Sequence, residues 1–477
     1  MTTTPARIEH DLLGAREVPG AALFGIHTLR AVENFTVSGI SISAYDDLIR
    51  ALALVKQAAA MANRDLGLLD DVKADAIVAA CKEILAGRFH AHFAVDVIQG
   101  GAGTSTNMNA NEVIANLALE ILGHARGDYQ FLHPNEDVNM SQSTNDVYPT
   151  ALKVATWFGI ARLVDAMDVL RLAFEQKAAE FKNDLKMGRT QLQEAVPMTV
   201  GQEFSTYAVM IGEDQERLRE AAALMCEINL GATAIGTGIN THPGYAASVC
   251  SQLSQLSGIT LETSANLIEA TQDVGAFVQV SGVLKRVAVK LSKTCNDLRL
   301  LSSGPRAGFG EINLPPMQAG SSIMPGKVNP VIPELMNQIA FEVIGNDITV
   351  TLAAEGGQLQ LNAFEPIIAH SIFKSLKHLR AGCLTLAERC VVGISLNRER
   401  LRAIMENSIG IVTALNPYIG YANATEIAQA AMSTGKSVYQ LVLDRGLLSR
   451  QQLDEILMPA TLTEPRPMLA GVPPALN

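Results

Sequence analysis

Residues 163–182 read LVDAMDVLRLAFEQKAAEFK. The apolar residues Leu163, Met167, Leu170, Phe174 and Phe181 recur at steps of three, four and seven, with Asp165, Asp168, Arg171 and Lys177 between them. That spacing lines one face of an α-helix and predicts a helix packed on other helices. A second stripe, Leu284, Val287, Leu291, Cys295, Leu298 and Leu301, repeats it, with Lys285, Lys290, Lys293 and Asp297 outside. Comparable patterns recur around 201–228, 334–354 and 368–392. At 1.5 Å per residue, a helix of about 30 residues is roughly 45 Å long, more than a small domain is wide. Helices of that length bury their stripes in bundles, often shared between subunits. The expectation is a mainly α protein, oligomeric around a helical core.

The segments between the stripes differ in composition. Residues 99–111 (QGGAGTSTNMNAN), 139–146 (NMSQSTND), 187–197 (MGRTQLQEAVP), 231–244 (GATAIGTGINTHPG) and 303–330 are rich in Gly, Ser, Thr, Asn and Pro. Such side chains compete with helical backbone hydrogen bonds, so these segments read as loops and helix caps. Cuts near 140 and 397 divide the chain into an N-terminal helical part (1–140), a long-helix centre (141–396) and a small C-terminal part (397–477). The tail LTEPRPMLAGVPPALN carries four prolines and is expected to be poorly ordered.

Composition narrows the function classes. Of 477 residues, 48% are hydrophobic and 18% charged, the balance of a soluble protein with a large core. A net charge of −11 disfavours nonspecific binding to nucleic acid or anionic membrane, both of which need a basic surface, and leaves room for a local basic pocket. No run of about 18 apolar residues spans a bilayer, and MTTTPARIEHDLLG lacks the pattern of a signal peptide. The six cysteines are scattered and form no CxxC pair. They read as small buried residues of a reducing cytoplasm, not as a zinc site or a disulfide framework.

GSSIMPGKVNP, residues 320–330, resembles a phosphate loop but fails as one. Five residues separate Gly320 from Gly326 where a Walker A loop has four, and Val328 follows Lys327 where a magnesium-binding hydroxyl belongs. Thr434–Ser437 has the right ending, but Ala430 replaces the first glycine. Gly101/Gly103 and Gly236/Gly238 lack the third glycine of a dinucleotide fingerprint. His90 and His92 form an HxH pair without supporting acids, and read as loop histidines. No GxSxG elbow anchors a hydrolase triad. What remains is a set of polar loops: Thr104 to Thr106, Ser143 to Asn145, Arg189 to Gln191, and Ser321 with Lys327 and Asn329. Each alone reads as a helix cap. Together they hold the inventory for a small dicarboxylate, with neutral donors for one carboxylate and a lysine for the other.

These stretches also carry a resemblance. GSSIMPGKVNP is similar to the signature of the fumarase/aspartase superfamily. GGAGTSTNMNANE, SQSTNDVYPT, KMGRTQLQEAVPMTVGQEF, NLGATAIGTGIN and CNDLRLLSSGPRAGFGEINLP match its other motifs, in its order, from about residue 7 to 460. REVP with FGIHTLRAVENF, RTQLQ in place of RTHLQ, EINLPPMQAGSS and GQLQLNAFEP resemble its aspartase branch. THPGY, LNRERL and Gly326 are more like the fumarase branch.

The resemblance implies a three-domain, mainly helical fold whose long central bundle forms the core of a homotetramer, with active sites shared between subunits. It implies the reversible conversion of L-aspartate to fumarate and ammonia. The alternatives are hydration of fumarate to L-malate, a non-catalytic structural role, and elimination on a bulkier amino acid or an adenylosuccinate-type substrate. By the same resemblance Ser321 is the base, and Gly320 and Gly326 are the ends of a lid. Thr104, Ser143 and Thr144, helped by Ser322, hold the carboxylate that becomes the aci-acid. Lys327, Asn329 and Thr190 bind the other carboxylate, and Asn145 and Gln191 meet the amino group. Glu334 matches an acid that pairs with a histidine in fumarases; with Gln191 here, a structural hydrogen bond is the competing role. No metal or organic cofactor is required. Magnesium activation occurs in the family, and no liganding cluster stands at the implied centre.

Overall fold

The computed structural model describes residues 5–465, so the expectation for the proline-rich tail falls mainly outside the described residues. Most of the chain is helical. A hairpin of β1 (Arg7–Asp11) and β2 (Gly14–Val18) precedes α1 (Ile26–Asn34), α2 (Asp46–Asp65), α3 (Asp71–Leu85) and α4 (Thr104–Ile121). The 37-residue α5 (Thr144–Glu180) is about 55 Å long. After it come the hairpin β3 (Leu185–Thr190) and β4 (Gln193–Thr199), then α6 (Val200–Ala223), α7 (Tyr245–Ser257), α8 (Leu267–Gln272) and α9 (Gly275–Leu301). Two more long helices, α10 (Val331–Glu355) and α11 (Glu365–Arg389), lead to short helices running from Arg398–Asn407 to Pro459–Leu462.

Contacts group the chain into two compact units. Unit 1 comprises Met1–Asp165, Asp214–Ala288 and Ile339–Arg380; unit 2 comprises Ala166–Glu213, Val289–Gln338 and Ala381–Asn477. This grouping differs from the sequence cuts at 140 and 397, because α5, α6, α9, α10 and α11 each contribute segments to both units.

Both apolar stripes face a core. Leu163, Met167, Leu170, Phe174 and Phe181 are all 1% exposed or less. In unit 2, Phe174 and Phe181 stack edge-on against Phe204 and Tyr207 of α6, with ring centroids 5.4–6.1 Å apart. In unit 1 the alanine-rich α2 packs on α3 and α7. Its Ala51, Ala53, Ala58 and Ala59 are buried and offer no bulk, so neighbouring backbones approach closely. Five of the six cysteines are buried and all are free thiols. Burial pushes Cys81, Cys383 and Cys390 up to about 12, which leaves them inert.

Two segments read as loops and helix caps are more regular than that. Residues 104–111 form the first turns of α4. Their polar side chains find partners outside their own backbone: Thr106 donates to Gln99 Oε1 at 3.0 Å, Asn109 to the His92 carbonyl at 3.0 Å, and Asn111 to Asn139 Oδ1 at 3.1 Å. The competition that disfavours helix is thereby removed. Residues 187–197 lie in the β3–β4 hairpin, whose strands hold polar side chains in unit 2 instead of alternating apolar ones. His90 and His92 sit in a single helical turn, where His90 Nε2 meets the Ile84 carbonyl and His92 Nδ1 accepts the Leu23 amide.

Candidate active site

In unit 1 the starts of α4 and α5 meet. Gly103, at φ +88°, lies so close to the Tyr148 ring that any Cβ there would collide with it. One turn into α4, Asn107 donates Nδ2 to Thr144 Oγ1 at 3.1 Å. Thr104, Ser143, Thr144 and Asn145 are thus gathered at two helix N-termini, where unpaired amides and the positive dipole ends favour an anion. Ser143 Oγ accepts the Asn145 amide at 3.2 Å, and Thr144 Oγ1 accepts Asn107. Each hydroxyl therefore has an acceptor site filled from within and keeps its own proton to give to a carboxylate.

Three devices hold this junction, none of them apparent from the loop motifs. Asp146 is fully buried; its Oδ1 accepts the Ser143 amide at 2.9 Å, and its Oδ2 accepts the amides of Gly231 and Thr233 at 3.1 and 3.0 Å. Burial pushes its carboxyl up to about 6, against the pull of those amides and of Lys56. Pro149 has no N–H for the Asn145 carbonyl four residues back, and Asn229 Nδ2 bonds that carbonyl instead at 3.0 Å. Asn145 Nδ2 in turn reaches the Ala234 carbonyl at 2.8 Å.

Lys56, in α2, is the third. Its side chain is fully buried, and Nζ donates to Asn139 Oδ1 at 2.8 Å and Gln142 Oε1 at 2.9 Å. The same Asn139 oxygen accepts Asn107 and Asn111, so one cation orients the amides that support Thr144. Burial lowers its ammonium to about 7, opposed by Asp146. The sequence did hold a signal: Lys56 is the single charge in ALALVKQAAAMA, residues 51–62.

In unit 2, Thr190 and Gln191 stand at the tip of the β3–β4 hairpin. The two turn residues, Gln191 and Leu192, take φ +53° and +62°, a left-handed pair usually built from Asn-Gly. The hairpin's root is fixed by buried charge: Lys186 Nζ lies 2.6 Å from Glu203 and 3.1 Å from Glu311, and Arg189 lies 2.5 Å from Glu311. The Arg189 guanidinium also stacks 4.3 Å from the Phe309 ring centre.

The 320–330 loop closes on itself. Gly320 donates its amide to the Lys327 carbonyl at 2.7 Å, and its own carbonyl accepts Asn329 Nδ2 at 2.7 Å. A Cβ on Gly320 would sit 2.5 Å from the Lys327 oxygen, so only glycine allows this closure. Gly326 takes φ +78° in open space. Inside the ring, Ser321 Oγ accepts two backbone amides, Ile323 at 3.1 Å and Met324 at 2.9 Å. Lys327 is exposed, and no carboxylate pairs with it among the described residues. Ser322 is exposed beside the apolar tip, where Ile323 is 82% exposed. Glu334 lies half-buried in the first turn of α10. Among the described residues, no hydrogen bond or ion pair joins Thr190 or Gln191 to this loop.

Chemically, the unit 1 junction supplies hydroxyl and amide donors for a carboxylate, and the unit 2 loop by itself supplies an ammonium and a serine oxygen held by two amides. A family model described as "Lyase" matches residues 14–345, and one described as "Fumarase C C-terminus" matches residues 411–464. The chain is 60% identical over 462 residues to an aspartate ammonia-lyase of Pseudomonas aeruginosa, covering 97% of this chain and 98% of that one. It is 56% identical to a fumarate lyase:delta crystallin of Brucella melitensis solved bound to cobalt, with a TM-score of 0.94 over 96% of this chain and all of that one. A class II fumarase of Schistosoma mansoni is 34% identical, with a TM-score of 0.90 over 95% of this chain and 98% of that one.

Proposed function

Because the chain belongs to the lyase family whose model spans residues 14–345, we propose that it is an ammonia-lyase, converting L-aspartate reversibly to fumarate and ammonia. Identity favours ammonia over water as the leaving group: 60% to an aspartate ammonia-lyase against 34% to a fumarase. Gln191 agrees, since an amide cannot shuttle the proton that hydroxide needs to leave as water, whereas an ammonium departs as neutral ammonia.

The observation that carries the mechanism is Ser321 Oγ receiving the amides of Ile323 and Met324. A serine hydroxyl is far too weak an acid to serve as a base at neutral pH. Two N–H donors aimed at the oxygen stabilise its alkoxide, and closure of the loop over substrate removes competing water. Ser321 takes the proton from the carbon next to one carboxylate, and the electron pair passes into that carboxylate as a dianionic aci-acid. Thr104, Ser143 and Thr144, with Ser322, donate to the new negative charge. The pair then returns to form the carbon–carbon double bond as the C–N bond breaks. Ammonia leaves, and the proton held by Ser321 completes the ammonium ion. Lys327, Asn329 and Thr190 hold the other carboxylate, while Asn145 and Gln191 receive the amino group.

The inferred assembly is a homotetramer whose sites combine residues of several subunits. Support comes from the long helices, which expose apolar side chains: Val169 and Leu172 on α5, and Phe341, Ile348 and Leu352 on α10, are 43–64% exposed. The deciding experiment incubates the protein with L-aspartate and, separately, with L-malate, following fumarate absorbance and ammonia release. Aspartate turnover with stoichiometric ammonia is expected. Turnover of malate alone would make the protein a hydratase, and turnover of neither would leave the structural role or elimination on a bulkier substrate.

A further inference from the structure

Unit 1 contains a cavity of about 590 Å³ that shares no residue with the candidate active site. Its walls are the start of α2 with the residue before it (Tyr45, Asp46, Asp47, Arg50), the middle of α5 (Phe158, Arg162) and the middle of α11 (Phe373, Lys377, Arg380). Four cations therefore face two carboxylates, on a chain whose net charge is −11.

The carboxylates do not neutralise the cluster. Asp47 pairs with Arg162, and Asp46, largely solvent-exposed, approaches His90 at 3.5 Å. Among the described residues Lys377 reaches only the Ala44 carbonyl, at 3.3 Å. Arg50 and Arg380 have no acid partner among the described residues. Their neighbours on α11 show the contrast: Lys374 and His378 both pair with Glu342, at 3.4 and 2.6 Å. Burial, and then the charge of Arg380, hold the Arg162 guanidinium below its usual value, so these two cations lie close enough to repel. The start of α2 adds to the field, because Tyr45 supplies no side-chain cap and the helix dipole's positive end faces the same walls. Phe158, Phe373 and Leu376 complete a lining that is part apolar. Unpaired guanidiniums around a concave, partly apolar site are the recognition chemistry of carboxylate and phosphate groups.

We propose that this cavity binds a small multivalent oxyanion, carrying two or more carboxylate or phosphate groups that bridge Arg50, Arg162 and Arg380. The site is separate from the elimination reaction, so its existence does not depend on the activity assigned above.

Calorimetric titration of the assembled protein tests it, with pyrophosphate and citrate as separate probes at ionic strength matched by sodium chloride. The Lys327→Ala variant is titrated in parallel, to remove anion binding at the candidate active site. The expected result is saturable binding of at least one probe, one per chain, in both wild type and Lys327→Ala. Arg380→Gln and Arg50→Gln should each weaken it about tenfold or more, as loss of a charge-assisted contact does, while Arg445→Gln, elsewhere on the surface, leaves it unchanged. Which probe binds separates phosphate from carboxylate recognition. These arginines are exposed, so the variants are expected to keep wild-type aspartate turnover and so report their own folding. No saturable binding of either probe would overturn the proposal. So would binding that disappears in Lys327→Ala, or that survives in Arg380→Gln and Arg50→Gln.

Discussion

At Ser321 the balance between hydroxyl and alkoxide is set by two amides. Ile323 and Met324 stay aimed at the oxygen only while Gly320 and Asn329 keep the loop closed. Removing that oxygen removes the base and leaves the carboxylate-binding groups intact. Ser321→Ala is therefore expected to lower kcat about 10²- to 10⁴-fold, the usual contribution of a positioned base, with fumarate binding within a few-fold of wild type. Steady-state kinetics with a fumarate titration checks it, and near-normal kcat would exclude serine as the base. Lys327 is the opposite case. It is the cation in the implied set, and no carboxylate competes for it among the described residues. Lys327→Met should raise KM for aspartate about 10- to 100-fold, as loss of a charge-assisted contact implies, with a smaller effect on kcat. Both residues stood out in GSSIMPGKVNP as a hydroxyl and a cation within a few positions, while their separate roles came from the resemblance and not from the spacing. Lys56 and Asp146 were not read as functional: their roles arise only when α2, α4 and the 229–234 segment come together, which no local pattern encodes.

Among the elements, the junction of α4, α5 and the 229–234 segment turns on one buried carboxylate. Asp146 has a folded pKa of about 6, above its unfolded value near 3.8, so between those limits the folded protein holds the extra proton. Stability from this group accordingly falls as pH rises from about 4 to about 6. The three amides it accepts want the ionised form, so the junction is best ordered above that window. Asp146→Asn should flatten this part of the stability profile, seen as urea midpoints at pH 4.5 and 6.5. It should also weaken aspartate binding about tenfold, because an amide NH₂ then faces backbone donors. The β3–β4 hairpin stores strain in its turn. Leu192, 66% exposed at φ +62°, has no burial to offset its left-handed backbone. Leu192→Gly should stabilise the hairpin by about 1 kcal/mol, slowing amide exchange there about fivefold. The long helices were readable from their stripes alone. The hairpin was not, because its strands carry Lys186, Arg189 and Glu194 where a half-buried strand would alternate, and Glu203 and Glu311 hold those cations from elsewhere in unit 2.

For the molecule as a whole, the dispersal of the site along the chain and the apolar faces of the long helices have one common explanation. Thr104 and Ser143 to Asn145 fall in unit 1, while Thr190, Gln191, Ser321, Lys327 and Asn329 fall in unit 2. If each site draws on several subunits, association is a condition of catalysis, and the exposed stripe on α10 is the surface that supplies it. Phe341, Ile348 and Leu352 follow at seven- and four-residue steps and so share one helix face. A charge there would be buried on assembly without a partner, at a cost of several kcal/mol per subunit. Ile348→Lys is expected to shift the protein to smaller species in sedimentation velocity and to abolish turnover, with helix content retained. A decisive version uses two variants that each assemble but react far more slowly, Ser321→Ala and Thr144→Ala. Dissociated, mixed and reassembled, they form hybrids in which some sites pair an intact Ser321 from one chain with an intact Thr144 from another. Activity well above that of either parent should then appear in the mixture. A mixture as inactive as its parents, with hybrid tetramers confirmed by mass spectrometry, would mean that each chain completes its own site.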